Sequence, residues 1–142
     1  MTASEREAAR SFGLELMAEV RLAHTEARLS AERSAKERRR LKEQLIEDRR
    51  EHARAREEAG RHRSALTASG ADEPPCRLKD DERRYLDFMA GRVGDSLRIR
   101  IEAAVARAEI ITDHEEDSPA RPAQEPAPPR SPTRRCRRPK RQ

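Results

Sequence analysis

Histidines, cysteines and clustered carboxylates are the residues here that could hold a metal or move protons. His24, His52 and His62 fall on one helical seam, separated by 28 and 10 residues. Zinc-binding helices place two ligands three or four residues apart beside Cys or carboxylate partners. That arrangement is missing from the seam, so no metal ligand is expected and the imidazoles are expected to be solvated or half-exposed. Their other chemistry would be proton sensing, because imidazole titrates at about pH 6.5. Glu57-Glu58 and Glu115-Glu116-Asp117 put carboxylates side by side. A catalytic pair needs surroundings that push two pKa values apart, and an exposed helix or tail supplies none. No Gly-rich phosphate loop, nucleophile elbow or Cys–His arrangement occurs. The reading is therefore non-enzymatic, with no catalytic residue and no cofactor. Cys76 and Cys136 are expected as two free thiols of a reducing compartment.

The densest charge lies at the end of the chain. Arg134, Arg135, Arg137, Arg138, Lys140 and Arg141 suit a nuclear import signal read by an import receptor. The same cations would also attract nucleic acid or an anionic membrane surface. No aromatic residue follows Phe88, so the tail cannot stack on bases and sequence-specific binding is not expected. Import is the leading expectation and nonspecific nucleic-acid binding the second. Ser131-Pro132 has the form of a proline-directed phosphorylation site, where phosphate would mask Arg130 and Arg134. Pro126-Ala127-Pro128-Pro129-Arg130 has the form of a polyproline ligand for an SH3-type groove.

Composition limits what can position these residues. Charged residues make up 42% of the 142 and aromatic residues 2%. Leu, Ile, Val and Phe total 20 residues, below the roughly 20% that supports an ordinary globular core. A sandwich, a barrel or an α/β fold needs far more β-branched and aromatic filling. Ala, Glu, Lys, Leu and Arg total 83 residues, the bias of long helices and coiled coils. No run approaches the roughly 18 apolar residues of a membrane span. Met1 to Arg10 lacks an apolar leader core. Cytosol or nucleus is the expected compartment.

Proline divides the chain. None occurs before Pro74, and seven of the nine lie from Pro119 to Pro139. Residues 1–68 are expected to form one long charged helix, capped by Ser4 with Glu7 and about 90 Å long. Residues 69–79, with Ser69-Gly70 and Pro74-Pro75, form a linker, since Pro-Pro cannot sit inside a helix. Residues 80–114 are expected as an amphipathic helix begun by Asp80 or Asp81. Leu86, Met89, Val93, Leu97, Ile101, Ala104, Ala108 and Ile111 recur at the helical period. Gly91 and Gly94 suggest a kink. Residues 115–142 are Pro- and Arg-rich with no large apolar residue, and are expected to be disordered.

The fold class is thus all-α: a long charged helix and a shorter amphipathic one, as a hairpin or coiled-coil-like pair, with a disordered tail. The stripe of the second helix cannot face water, and a hairpin is the local solution. Residues 34–65, its neighbour in a hairpin, offer mostly Ala and charge, with polar Asp48 on the seam. The better apolar surface runs from Phe12 to Leu29, out of reach unless the first helix breaks. A homodimer or a protein partner is therefore expected. Its binding surface would be Phe12, Leu16, Val20, Leu86, Met89, Val93, Leu97, Ile101 and Ile111.

Two stretches carry a resemblance. Met17-Ala18-Glu19-Val20-Arg21-Leu22-Ala23-His24-Thr25-Glu26-Ala27-Arg28-Leu29 precedes a long Arg/Glu helix. Arg83-Arg84-Tyr85-Leu86-Asp87 then opens an amphipathic one. In order and approximate spacing over residues 12–110 this resembles the small herpesvirus tegument proteins encoded by gene fourteen of the unique long region. The resemblance implies a minor virion component of the layer between capsid and envelope. It implies a chaperone-like role in bringing capsid and other tegument proteins to the nucleus and in late virion maturation. Host cytoplasm, host nucleus and virion tegument are the locations it implies.

Overall fold

Glu32, Arg33 and Ser34 interrupt the expected 60-residue helix. The structure, a computed structural model, describes residues 2–112. Helix α1 spans Ala3–Ala31 and helix α2 spans Ala35–Ser69. The cap of α1 is Thr2 rather than Ser4. Its hydroxyl accepts from the Glu5 amide at 3.0 Å, and the Glu5 carboxylate accepts from the Thr2 amide at 2.7 Å. The capping-box reciprocity expected of Ser4 and Glu7 thus operates two residues earlier, between Thr2 and Glu5.

Two local devices hold the break. The Ser34 hydroxyl accepts from the Glu37 amide and starts α2. Arg38 donates to the carbonyls of Leu29 and Glu32 at 2.8 and 3.2 Å. These are end carbonyls of α1, where a cation meets the negative pole of the helix. The other end of α2 is Gly70, at φ 75. The amides of Gly70 and Ala71 donate back to the carbonyls of Thr67 and Leu66. This left-handed stop is the one expected at Ser69-Gly70.

The second segment is also split. Strand β1 spans Arg77–Lys79, helix α3 Asp80–Ala90, helix α4 Asp95–Arg107 and strand β2 Glu109–Ile111. Gly91 to Gly94 form a turn where a kinked single helix was expected. The two strands pair in parallel, Leu78 beside Ile110. A parallel pair needs a crossover of a dozen or more residues, which α3 and α4 supply. Ile110 and Ile111 favour extended backbone, and residues 109–111, expected inside the second helix, form a strand, as does the end of the linker at Arg77–Lys79.

Breaking the first helix solves the stripe's problem within one chain. Leu16, Met17 and Val20 of α1 share a core with Leu78, Leu86, Met89, Ala90 and Ile101. A smaller cluster joins Ala8 and Phe12 to Ala59 of α2. The α1–α2 seam is more polar. There the Thr25 hydroxyl donates to the buried Asp48 carboxylate at 2.5 Å, and Gln44 donates to its other oxygen at 2.9 Å.

Charge signs fit this antiparallel register. On one flank Glu15 and Glu26 of α1 face Arg63 and Arg49 of α2 at 2.8 and 3.9 Å. On the other flank the signs reverse: Arg21 and Arg28 face Glu51 and Glu37 at 3.5 and 3.7 Å. Each exposed pair contributes little, about 0–1 kcal/mol. Together they disfavour a slipped or inverted pairing of the hairpin. Among the described residues the fold is thus helical, with a two-stranded ladder that departs from the expected all-α class. Residues 115–142, expected as a disordered tail, lie outside the described residues.

Candidate functional site

The nine expected protein-binding residues are the protein's interior. Phe12, Leu16, Val20, Leu86, Met89, Ile101 and Ile111 are buried, and Val93 and Leu97 are half-buried. They were expected to need a partner because the long first helix was expected to be continuous. With the break at residues 32–34, the two apolar stretches cover each other. The surface that a partner was expected to cover at these positions is closed off inside the chain.

Different apolar side chains face outward. Phe88 on α3 and Ile99 on α4 are 58% and 59% exposed, the most among the large apolar residues. The Arg92 guanidinium lies 3.7 Å from the centre of the Phe88 ring, a cation–π contact. Leu14, Ile46 and Ile110 are exposed to a smaller degree. Phe88 escaped notice in the sequence because it lies between Leu86 and Met89, which carry the stripe. Its helical phase, one residue before Met89, was the available signal.

A cleft of about 330 Å³ opens between α1, the end of α2, the linker and α4. Phe12, Leu16, Cys76 and Ala104 give it apolar surface. Five of its charged groups, Glu15, Glu19, Arg63, Glu73 and Arg100, are engaged with one another. Arg63 pairs with Glu15 at 2.8 Å and with Glu73 at 3.4 Å. Arg100 grips Glu19 through both nitrogens, one of them at 2.7 Å. The Arg100 guanidinium holds Glu19 below the usual carboxylate range, against the opposing effect of burial. Burial pushes the Cys76 thiol up, which suppresses the thiolate needed for nucleophilic attack.

A second carboxylate is tied into the framework. Glu82 accepts from Arg10 and from the Lys79 amide. Burial raises its pKa, and these bonds more than offset that, leaving it below the usual range.

The seam histidines remain apart. His24, His52 and His62 are each half-buried, and His62 lies 3.2 Å from Glu58. No group of three His, Cys, Asp or Glu side chains converges among the described residues. No described helix is long and apolar enough to cross a membrane. Arg134, Arg135, Arg137, Arg138, Lys140, Arg141 and Ser131 lie outside the described residues, as does Cys136.

Neither a family model, a curated protein nor a solved structure matches the chain.

Proposed function

We propose that the chain is a non-enzymatic helical interaction protein of the herpesvirus tegument kind. In this reading it is an adaptor or chaperone-like protein that helps capsid or tegument proteins reach the nucleus and aids virion maturation. The family part rests on the resemblance over residues 12–110. The interaction part rests on one observation: Phe88 and Ile99 stay more than half exposed although the chain has few large apolar residues and covers most of them wholly or in part. Aromatic side chains such as Phe88 are enriched at protein interfaces. The basic tail would carry the import signal.

The test is co-expression with herpesvirus capsid and tegument proteins in cells. The chain is expected to bind one of them and raise its nuclear fraction. Phe88→Asp with Ile99→Asp should abolish binding with an unchanged circular dichroism spectrum. A chain ending at Glu125 should still bind its partner but lose nuclear accumulation. If no capsid or tegument protein binds or relocates, the reading fails.

A second reading, nonspecific nucleic-acid binding through the Arg-rich tail, is favoured by the net charge of +4 on residues 115–142. Under it, the Glu125 truncation loses salt-sensitive binding to RNA or DNA instead.

A further inference from the structure

The described residues carry a second concentration of positive charge, at the turn between α1 and α2. Residues 30–42 hold six basic and two acidic side chains, a net of +4. The tail reaches the same net charge over 28 residues. Arg33, Ala35, Arg38, Arg39 and Lys42 line a hollow of about 300 Å³ with no carboxylate in its wall.

The two nearby acids are occupied elsewhere. Glu32 accepts from the Ser34 amide at 3.1 Å. Glu37 binds Arg40 at 2.6 Å and approaches Arg28 at 3.7 Å. Arg38 is fixed at the edge of the hollow by its bonds to the α1 carbonyls. Arg33, Arg39 and Lys42 form no ion pair with any described residue.

The asymmetry continues along α2. At 100° per residue, Arg38, Arg39, Lys42, Arg49 and Arg56 share one third of the helix circumference. No Asp or Glu of α2 enters that third before Glu57. Arg49 leans toward Glu26 of α1, so the unneutralised end of this row is the hairpin tip.

We infer that this tip is a docking site for the phosphate backbone of a double-stranded nucleic acid. Three unpaired cations spread around an open hollow match successive phosphates of a chain better than one isolated phosphate. The Arg fork suits phosphate geometry. No aromatic side chain lies at the tip to stack on bases, so the grip is blind to sequence. A membrane surface fits less well. Residues 30, 31 and 33–36 are exposed, and all are small or charged, so none can seat among acyl chains. The site lies within residues 30–42 and does not depend on the tail or on the tegument reading.

The experiment is fluorescence anisotropy of a short DNA duplex against the full chain and against the chain ending at Glu125, across a salt series. Vesicles containing phosphatidylserine are tested in parallel. The truncated chain is expected to retain salt-dependent duplex binding. Arg33→Gln, Arg39→Gln and Lys42→Gln together should lower its log–log salt slope by about 2 to 3, near 0.9 per lost phosphate contact. Arg33→Lys with Arg39→Lys should keep the slope. All three positions are exposed, so circular dichroism should not change. Failure of the truncated chain to bind duplex, an unchanged slope in the Gln variant, or tighter binding to vesicles than to duplex would each overturn the inference.

Discussion

Arg10 and Glu82 are joined by two parallel bonds, 2.7 and 2.9 Å long, across 72 residues of sequence. Both side chains are largely buried, at 16% and 14% exposure. Arg10 also donates to the Arg77 carbonyl at 3.2 Å, and Glu82 accepts from the Lys79 amide at 2.9 Å. One charge pair thus ties the first helix to the start of α3 and to β1. Replacing Glu82 by Gln keeps the shape but removes the charge from a bidentate contact with a guanidinium. The expected loss is about 1–3 kcal/mol, read as a lower urea midpoint with an unchanged slope.

The same pair sets an acid response. Glu82 and Glu19 both titrate below the ordinary carboxylate value of 4.5 when folded. A depressed folded pKa means the unfolded chain takes up protons first as pH falls. Their stabilisation is therefore complete above about pH 4.5 and is lost as pH drops through the folded values. Glu82→Gln should flatten the stability curve in that acid window and lower it above. A variant whose acid loss equals that of the parent would refute the assignment to Glu82.

Gly13 is a point of close approach. A Cβ placed there would lie 2.3 Å from the Arg77 carbonyl oxygen and 3.0 Å from Leu78 Cδ2. In an isolated helix Gly13→Ala would gain roughly 1 kcal/mol of propensity. Here β1 must move off α1, and Leu78 is fully buried. The substitution is expected to destabilise by about 2 kcal/mol or more, as overpacking does. Gly60→Ala is the control, since a Cβ there meets nothing within 4 Å and should stabilise. Thermal unfolding of the two variants should move in opposite directions.

What the sequence revealed and what it hid follow from the range of each signal. Gly70 as a helix stop is local and holds; α3 starts at Asp80 as expected, but its cap residue is Lys79 rather than Asp80 or Asp81. The stripe through Leu86, Met89 and Ile101 is periodic, and these residues are buried, as core rather than as the partner surface expected of them. The break at Glu32, Arg33 and Ser34 was harder to see because these residues carry little helix penalty. Ser34 followed by Glu37 did offer a cap, but Ser4 with Glu7 shows the same spacing and is not used. What selects the break is the distant demand of the stripe for Leu16, Met17 and Val20. Strands of three residues are too short to show alternation, so β1 and β2 left only the Ile110-Ile111 pair as a trace. The exposed Phe88 and Ile99 could be told from core positions only once the helix phases were fixed. The basic tip depended on knowing that the chain turns there.

The polar seam between α1 and α2 gives the last test. Asp48 is only 5% exposed, yet its two oxygens are occupied by Thr25 and Gln44. Thr25→Val conserves the volume and removes the one donor that α1 supplies to this carboxylate. A buried charge stripped of a bond costs about 1–3 kcal/mol, so the variant should unfold earlier. Thr25→Val with Asp48→Leu replaces both partners by apolar groups, which removes the unpaired charge and should recover most of the loss. The double variant should also be less particular about register, because Ala and Leu contacts tolerate a slip that a specific bond does not. Cross-linking of cysteines introduced at Arg21 and Glu51, which face each other at 3.5 Å in the parent, measures that register. If the double variant is no more stable than Thr25→Val, the seam acts through packing at these two positions and not through the hydrogen bond.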